Sequence, residues 1–321
     1  MRRSDLPGAT PPRRRLAVTP GSLRPGFRRS GRSFPLVAPT WPATVDKPAP
    51  ATTLGTRYQT AWARRYPARL ARVLVTELVA RPAVAALARP SVEGLDRIDH
   101  LQGPAIFAAN HSSHLDTILL LSVLPERFRH RTVVAAGADY FFDSRAKAAF
   151  FALTIAAVPI ERRRVSRDSV ARTAALLGDG WSLVIYPEGG RSPDGWAQPH
   201  TAGAAWLAER SGVPVVPIFV GGTRDILPRG SARLRPGPTE VSFGRPLTAA
   251  GDVRGLAARI ETAIAVLGDE AGTDWWSARR RAAQGSTPAP TGPEAAGWRR
   301  AWALRGGAER PPAGGGEWAA G

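Results

Sequence analysis

The residues of this chain best suited to acid–base chemistry are a histidine and an aspartate five positions apart, His111 and Asp116. They follow an apolar run at 105–109 and precede another at 117–123, which predicts a buried strand, a turn and then a helix. On one continuous helix the two side chains would lie about 140° apart and could not touch. They can touch if His111 lies in the turn and Asp116 in the first helical turn, where the helix dipole favours a carboxylate. Asp116 would then fix the imidazole tautomer, and the other ring nitrogen would serve as a general base.

A second polar segment also follows an apolar run, and it consists of Glu188, Gly189, Gly190, Arg191 and Ser192. The two glycines let the backbone turn sharply and approach a ligand closely. The guanidinium of Arg191 is a planar set of donors suited to phosphate or carboxylate. Loops at the carboxyl ends of strands in an open α/β sheet meet over one crevice, so we expect this segment to lie near His111. An ordinary turn with an exposed arginine is the alternative interpretation.

A third polar segment, 161–164, is a charged run after the apolar stretch 156–160. Arg162 lies nearest the end of the predicted strand and is our candidate for a buried contact with an anion. We expect Arg163 and Arg164 to lie on a solvated rim.

Strand-like and helix-like patterns alternate through the middle of the chain. The predicted strands are 92–95, 105–109, 132–136, 156–160, 182–186, 213–220 and 240–243, and the main helices are 145–155, 165–177, 204–211 and 253–267. This alternation predicts an α/β fold with a mostly parallel central sheet and helices on both faces.

The net charge is +18, and the distribution of charge and residue types along the sequence predicts four regions. Residues 1–50 are rich in Arg, Pro and Gly and are predicted to be a disordered basic tail. Residues 51–90 are basic with apolar residues at helical spacing, which predicts amphipathic helices, broken or kinked at Pro67 and Pro82, that lie in a lipid interface or pack on the core. Residues 91–271 are nearly neutral and form the predicted catalytic domain, and residues 272–321 are predicted to be a flexible tail.

Composition excludes several classes of function. The chain has no cysteine, so thiolate metal sites, disulfides and cysteine nucleophiles are absent. The positive charge lies in the flanks of the neutral domain, which argues against nucleic acid as the partner. His111, His114 and Asp116 could in principle bind a metal ion, but we predict neither a metal nor a cofactor. The absence of a Gly-x-Ser-x-Gly motif argues against a serine nucleophile that forms a covalent intermediate.

Four motifs in a fixed order carry a resemblance to a known family. They are Asn-His-x4-Asp at 110–116, Ile-Glu-Arg at 160–162, Pro-Glu-Gly-x-Arg-Ser at 187–192 and Val-Pro-Val-Val-Pro-Ile at 213–218. Together, over about residues 91–245, they resemble the glycerolipid acyltransferase family, whose best-known members are the lysophosphatidate acyltransferases.

The resemblance implies a role for each matching residue. His111 would be the general base and Asp116 its partner, and the segment 213–218 would line the side of the acyl donor. The glycerol-phosphate end of the acceptor would be held by Arg162, Glu188, Gly189 and Arg191, with Gly190 and Ser192 in the same binding segment. Backbone N–H groups near the histidine turn are the natural donors to the oxyanion. The resemblance also implies an acyl-CoA or acyl-carrier-protein donor, a lyso-lipid acceptor and association with an anionic membrane surface on its cytoplasmic face.

Two departures from the family bear on the acceptor. The family usually has threonine where this chain has Gly190, and it often has a Phe-Lys-rich segment where this chain reads Gln-Pro-His-Thr-Ala-Gly at 198–203. The predicted reaction is acylation of 1-acylglycerol-3-phosphate to phosphatidic acid. A different lyso-lipid or a non-phosphate acceptor is the alternative, and a non-catalytic lipid- or nucleic-acid-binding protein is a further one.

Overall fold

The centre of the computed structural model, which describes residues 55–161, 167–192, 196–228 and 233–288, is a β-sheet. Within these ranges the sheet has seven strands in the order β1-β7-β6-β2-β5-β3-β4. Neighbouring strands are parallel except β6 and β7, which are antiparallel, so the predicted mostly parallel sheet is confirmed. The strands are β1 (Pro90–Glu93), β2 (Ile106–Ala109), β3 (Thr132–Gly137), β4 (Ala157–Ile160), β5 (Ser182–Ile185), β6 (Val215–Gly221) and β7 (Thr239–Phe243).

Helices lie on both faces of the sheet, as the alternating pattern predicts. They are α1 (Ala68–Val75), α2 (Arg81–Ala88), α3 (Leu115–Val123), α4 (Glu126–Arg129), α5 (Ala138–Phe141), α6 (Arg145–Ile155), α7 (Arg167–Gly178), α8 (Gly203–Ser211), α9 (Thr223–Ile226), α10 (Val253–Gly272) and α11 (Trp275–Ala283). On one face α7, α8 and α10 bury Leu176, Leu207 and Ile260 against the sheet. On the other face α2 and α3 bury Val84 and Leu119.

The central strand β2 determines where the histidine turn lies. All four of its residues are buried, with Ile106 and Ala108 in one core and Phe107 and Ala109 in the other. A continuous apolar run is typical of a parallel strand that is covered on both faces. Since the strand ends at Ala109, His111 is held just beyond its carboxyl end, between the ends of β5 and β6.

The N-terminal segment is helical, as the spacing of its apolar residues predicts, and the backbone accommodates the two prolines differently. Pro67 precedes α1 and marks its start. Pro82 lies in the first turn of α2, directly after a π-helical turn at Thr76–Ala80 that joins α1 to α2. Because proline lacks an N–H and crowds the preceding turn, a local change of hydrogen-bond spacing lets the chain remain helical. Within the described ranges, none of the helices combines the length and hydrophobicity that crossing a lipid bilayer requires.

The predicted flexible tail at 272–321 is wrong at its start, where the structure has the helix α11. The Asp274 carboxylate caps this helix by accepting the Ser277 N–H at 2.9 Å. The Arg281 guanidinium contacts both oxygens of Asp269 on α10 at 2.7 Å each. The prediction of a tail is based on the composition of the whole segment, which is rich in Gly and Pro further along the chain. That composition hides the short helix at its start. The rest of that predicted tail beyond residue 288 and the predicted disordered tail at 1–50 lie outside the described residues.

Candidate active site

The histidine and aspartate of the first motif are in direct contact. His111 lies in the turn after β2, Asp116 lies in the first turn of α3, and His111 Nδ1 is 2.8 Å from Asp116 Oδ2. The carboxylate is fully buried, whereas the imidazole side chain keeps 11% of its surface exposed. An ionised carboxylate only accepts hydrogen bonds, so Nδ1 must carry the shared proton. In the neutral imidazole the unprotonated nitrogen is then Nε2, which is the atom that can accept a proton from a ligand.

The Asp116 carboxylate is held by donors from two segments of the chain. Its Oδ2 atom also accepts the backbone N–H groups of Ser112 at 2.7 Å and Ser113 at 2.9 Å, so the turn wraps around it. Its Oδ1 atom accepts the hydroxyl of Thr223 at the start of α9. A buried carboxylate is costly unless such donors surround it. Sequence analysis did not identify Thr223, because nothing local links it to a carboxylate 107 residues away.

A tyrosine from the neighbouring strand end fixes the plane of the imidazole. The rings of Tyr186 and His111 are stacked, with centroids 3.9 Å apart and planes 16° apart. The Tyr186 hydroxyl is 2.9 Å from the Thr117 hydroxyl on α3. Burial raises the pKa of Tyr186 well above its usual value, and the negative charge of Asp116 raises it further. Tyr186 therefore stays protonated and acts here as a neutral, immobilised surface for the histidine.

The predicted binding segment after β5 meets the histidine turn through its backbone. The Ser192 N–H donates to the His111 carbonyl at 2.7 Å. The Glu188 carboxylate accepts the His111 N–H at 3.0 Å through Oε1 and the Gln198 N–H at 3.0 Å through Oε2. Both carboxylate oxygens of Glu188 are thus engaged by backbone groups. Glu188 thereby joins the two loops, and the substrate contact that the resemblance implies for it stays a prediction.

Arg191 lies in a group of cationic and aromatic side chains beside this junction. Its guanidinium carbon is 6.0 Å from the centre of the Tyr140 ring. His114 stacks on the same ring with centroids 5.4 Å apart, and Lys147 Nζ lies 4.0 Å from its centre. The hydrogen bond from Ser192 to His111 shows that the Arg191 segment and His111 lie close together, as the sequence predicts. Arg162, the other predicted anion contact, lies outside the described residues.

Two expectations about the surroundings of the histidine need correction. The His111, Ser112 and Ser113 N–H groups are bound to the Glu188 and Asp116 carboxylates, so these backbone donors are not free to stabilise an oxyanion. The strand predicted to line the donor side is part of β6, whose residues Val215 to Ile218 are buried in the two cores. The turn that follows β6, beginning at Gly222, is what reaches the site. Gly222 has φ 80°, and a Cβ there would overlap the Pro238 carbonyl.

Comparison with known proteins finds similarity to one family. Residues 89–221 match the model of the acyltransferase family. A chloroplastic 1-acyl-sn-glycerol-3-phosphate acyltransferase of Brassica napus is 32% identical over 170 residues, which cover 50% of this chain and 45% of that protein. A chloroplastic enzyme of the same name from Arabidopsis thaliana is 33% identical over 168 residues, covering 49% of this chain and 43% of that protein.

The match extends to an animal protein and to a solved structure. The alpha form of 1-acyl-sn-glycerol-3-phosphate acyltransferase from Homo sapiens is 29% identical over 180 residues, covering 53% of this chain and 61% of that protein. The crystal structure of the 1-acyl-sn-glycerophosphate acyltransferase PlsC from Thermotoga maritima superposes with a TM-score of 0.48 at 20% identity, covering 64% of this chain and 81% of that one. This chain thus aligns with about half the length of the plant relatives.

Substitution of the two glycines of the binding segment by alanine should change the stability of the protein in opposite directions. Gly189 has φ 71°, so Gly189→Ala should lower the free energy of unfolding by about 1–2 kcal/mol. Gly190 is not in the left-handed region and a Cβ there meets nothing within 4 Å, so Gly190→Ala should raise the free energy of unfolding by about 0.4–1 kcal/mol. Urea denaturation of both variants measures the difference. Equal changes in the two proteins would contradict the described conformation of this loop.

Proposed function

We propose, from the match of residues 89–221 to the model of the acyltransferase family, that this protein transfers a fatty acyl group from a thioester donor to the hydroxyl of a lyso-glycerolipid. The acceptor we propose is 1-acyl-sn-glycerol-3-phosphate, the compound in the names of the relatives, with phosphatidic acid as the product. The observation that carries the proposal is the contact of 2.8 Å between His111 Nδ1 and the buried Asp116 carboxylate, in a turn bonded to the loop of Arg191.

The proposed reaction is a direct transfer with His111 as the general base. His111 Nε2 takes the proton of the acceptor hydroxyl while its oxygen attacks the thioester carbonyl carbon. The tetrahedral intermediate then expels the thiolate as the carbon–sulfur bond breaks, and the imidazolium returns the proton to the sulfur. Asp116 stabilises the imidazolium through Nδ1 and holds the ring in one orientation. General-base catalysis of this kind contributes typically about 10²–10⁴-fold to the rate.

Direct transfer is supported by the state of the two serines beside the histidine. The Ser112 hydroxyl is 3.1 Å from the Thr223 hydroxyl, and the Ser113 hydroxyl donates to the Leu227 carbonyl at 2.8 Å. A serine nucleophile needs the base within hydrogen-bond reach of its oxygen. Both hydroxyls instead bond to the turn after β6, which favours a mechanism without an acyl-serine.

The phosphate of the proposed acceptor would bind beside Arg191. A guanidinium forms paired hydrogen bonds with phosphate oxygens, and Lys147 supplies a second positive charge on the same aromatic ring. Lys147 also contacts Asp143 at 3.0 Å, which offsets part of that charge. An acceptor without phosphate is the alternative, and the charge dependence of Arg191 variants distinguishes the two. Acyl-CoA and acyl-carrier-protein are both proposed as donors.

We further propose that the protein works on an anionic membrane surface through its N-terminal helices. Four large apolar side chains spaced four residues apart are exposed along one side of this segment, and they are Tyr66, Leu70, Leu74 and Leu78. The segment packs against α3 and α6, where Ile118 and Phe150 are also exposed. An apolar face of this size flanked by arginines suits burial at the lipid interface. Ile118 is two residues from Asp116, so this face lies next to the proposed site.

His111→Ala should abolish acyl transfer while the protein keeps its fold. Loss of the base predicts a decrease in kcat of at least about 10²-fold, with the melting temperature close to that of the wild type. The measurement uses purified protein, labelled acyl-CoA and 1-acylglycerol-3-phosphate, with thin-layer separation of the product. His100→Ala is the control, since His100 is exposed and outside the site. Activity of His111→Ala within tenfold of the wild type would remove the general-base assignment.

Arg191→Gln should separate the phosphate acceptor from the alternative. Loss of a charge-assisted contact predicts an increase of about 10- to 100-fold in KM for 1-acylglycerol-3-phosphate, and little change for an uncharged monoacylglycerol. Arg254→Gln, on the exposed side of α10, controls for the loss of one positive charge. Equal changes in KM for the charged and uncharged acceptors would contradict a phosphate contact at Arg191.

Charges placed on the exposed apolar face should weaken membrane binding. The double substitution Leu74→Glu with Leu78→Glu should lower the partition into vesicles of phosphatidylglycerol and phosphatidylethanolamine by about tenfold or more. The reason is that two leucine side chains that insert into the lipid in the proposed bound state are replaced by charges. Co-sedimentation with the vesicles measures the change. Trp206→Glu, an exposed aromatic residue on α8 at the other face of the sheet, should have little effect. A similar loss for both proteins would show that this face does not contact lipid.

A further inference from the structure

The end of β6 and the turn that follows it are hydrogen-bonded to the histidine turn and to Asp116. Asn110 donates its side-chain amide to the Val220 carbonyl at 2.9 Å and accepts the Val220 N–H at 2.7 Å. The Thr223 hydroxyl donates to Asp116, and the Leu227 carbonyl accepts the Ser113 hydroxyl. The end of β6 and α9 thus form a brace for the proposed general base.

The loop of Arg191 is tied to the same brace. The Arg224 guanidinium donates to the Ser192 carbonyl at 3.1 Å. The Ser192 N–H in turn donates to the His111 carbonyl. The segment 222–227 therefore contacts both loops from which the proposed site is built.

We infer that Thr223 is a positioning residue for the reaction, which acts through Asp116 on the tautomer and orientation of His111. Among the contacts of the described residues, Asp116 Oδ2 has three N–H donors, whereas the hydrogen bond to Oδ1 comes from Thr223. A carboxylate that is held at both oxygens cannot rotate about its Cβ–Cγ bond. Its Oδ2 atom therefore remains pointed at His111 Nδ1.

The directions of the hydrogen bonds follow from the same geometry. Because an ionised carboxylate only accepts hydrogen bonds, Thr223 must donate its one hydroxyl proton to Asp116. The contact of 3.1 Å between the Ser112 and Thr223 hydroxyls must then be donated by Ser112. This chain of donors runs from Ser112 through Thr223 to Asp116, which also accepts from His111. Thr223 is fully buried, so water does not replace its hydroxyl when that group is removed.

The test compares Thr223→Val, which keeps the shape and loses the hydroxyl, with Thr223→Ser, which keeps the hydroxyl and loses a methyl group. We expect kcat of the valine variant to fall about 10- to 100-fold with KM for both substrates within threefold, and kcat of the serine variant to stay within threefold of the wild type. Thr132→Val is the matched control, since its buried hydroxyl donates to the Phe128 carbonyl at the other end of the sheet.

A second measurement makes the inference independent of the proposed function, on which the kinetic test rests. Nitrogen-15 spectra of the histidine side chains should show the proton of the neutral His111 on Nδ1 in the wild type and in Thr223→Ser. In Thr223→Val, or in Thr223→Ala if the valine does not fold, the two tautomers should mix. A single Nδ1–H tautomer in all variants, or a serine variant as impaired as the valine variant, would overturn the inference. Tautomer mixing in a protein that transfers no acyl group would support it while removing the proposed function.

Discussion

The structure depends on one buried carboxylate that is fully supplied with donors. Asp116 receives two backbone N–H groups, one imidazole N–H and one hydroxyl, and it has no exposed surface. Satisfying it requires the turn after β2 to wrap around it and the turn after β6 to reach it. These requirements fix the imidazole of His111 at the edge of the sheet, with Nε2 as the ring nitrogen that Asp116 does not contact.

The sheet order explains how distant segments meet at this carboxylate. β2 lies between β5 and β6, all three are parallel, and their carboxyl ends lie at one edge. The loop after β5 contributes Tyr186 under the imidazole and Glu188 on its backbone. The turn after β6 contributes Thr223. Three neighbouring strands thus each supply one part of the site, which is the usual location of ligands in an open α/β sheet.

The sequence could predict two kinds of feature: contacts between residues that are close in the chain, and loops that follow the same strand pattern. The contact of His111 with Asp116 follows from five residues and a strand–turn–helix pattern, and the approach of Arg191 follows from two loops that each succeed a buried strand. The contacts of Tyr186 and Thr223 depend on which strands lie beside β2, and a single sequence does not contain that order. The resemblance implies a substrate contact for Glu188, and a single sequence does not show that its two oxygens also accept the backbone N–H groups of His111 and Gln198. The helix α11 was missed since its contacts to α10 are polar and lie in a segment of tail-like composition.

The central claim is that the charge of Asp116, and not merely its shape, holds His111 ready to accept a proton. The most direct test is the rate of acyl transfer by Asp116→Asn at saturating concentrations of both substrates, with the unfolding temperature measured on the same protein. The account predicts that kcat falls about 10³- to 10⁴-fold while the protein stays folded, because the asparagine neither stabilises the imidazolium nor selects the tautomer. A folded Asp116→Asn protein with kcat within tenfold of the wild type would contradict it.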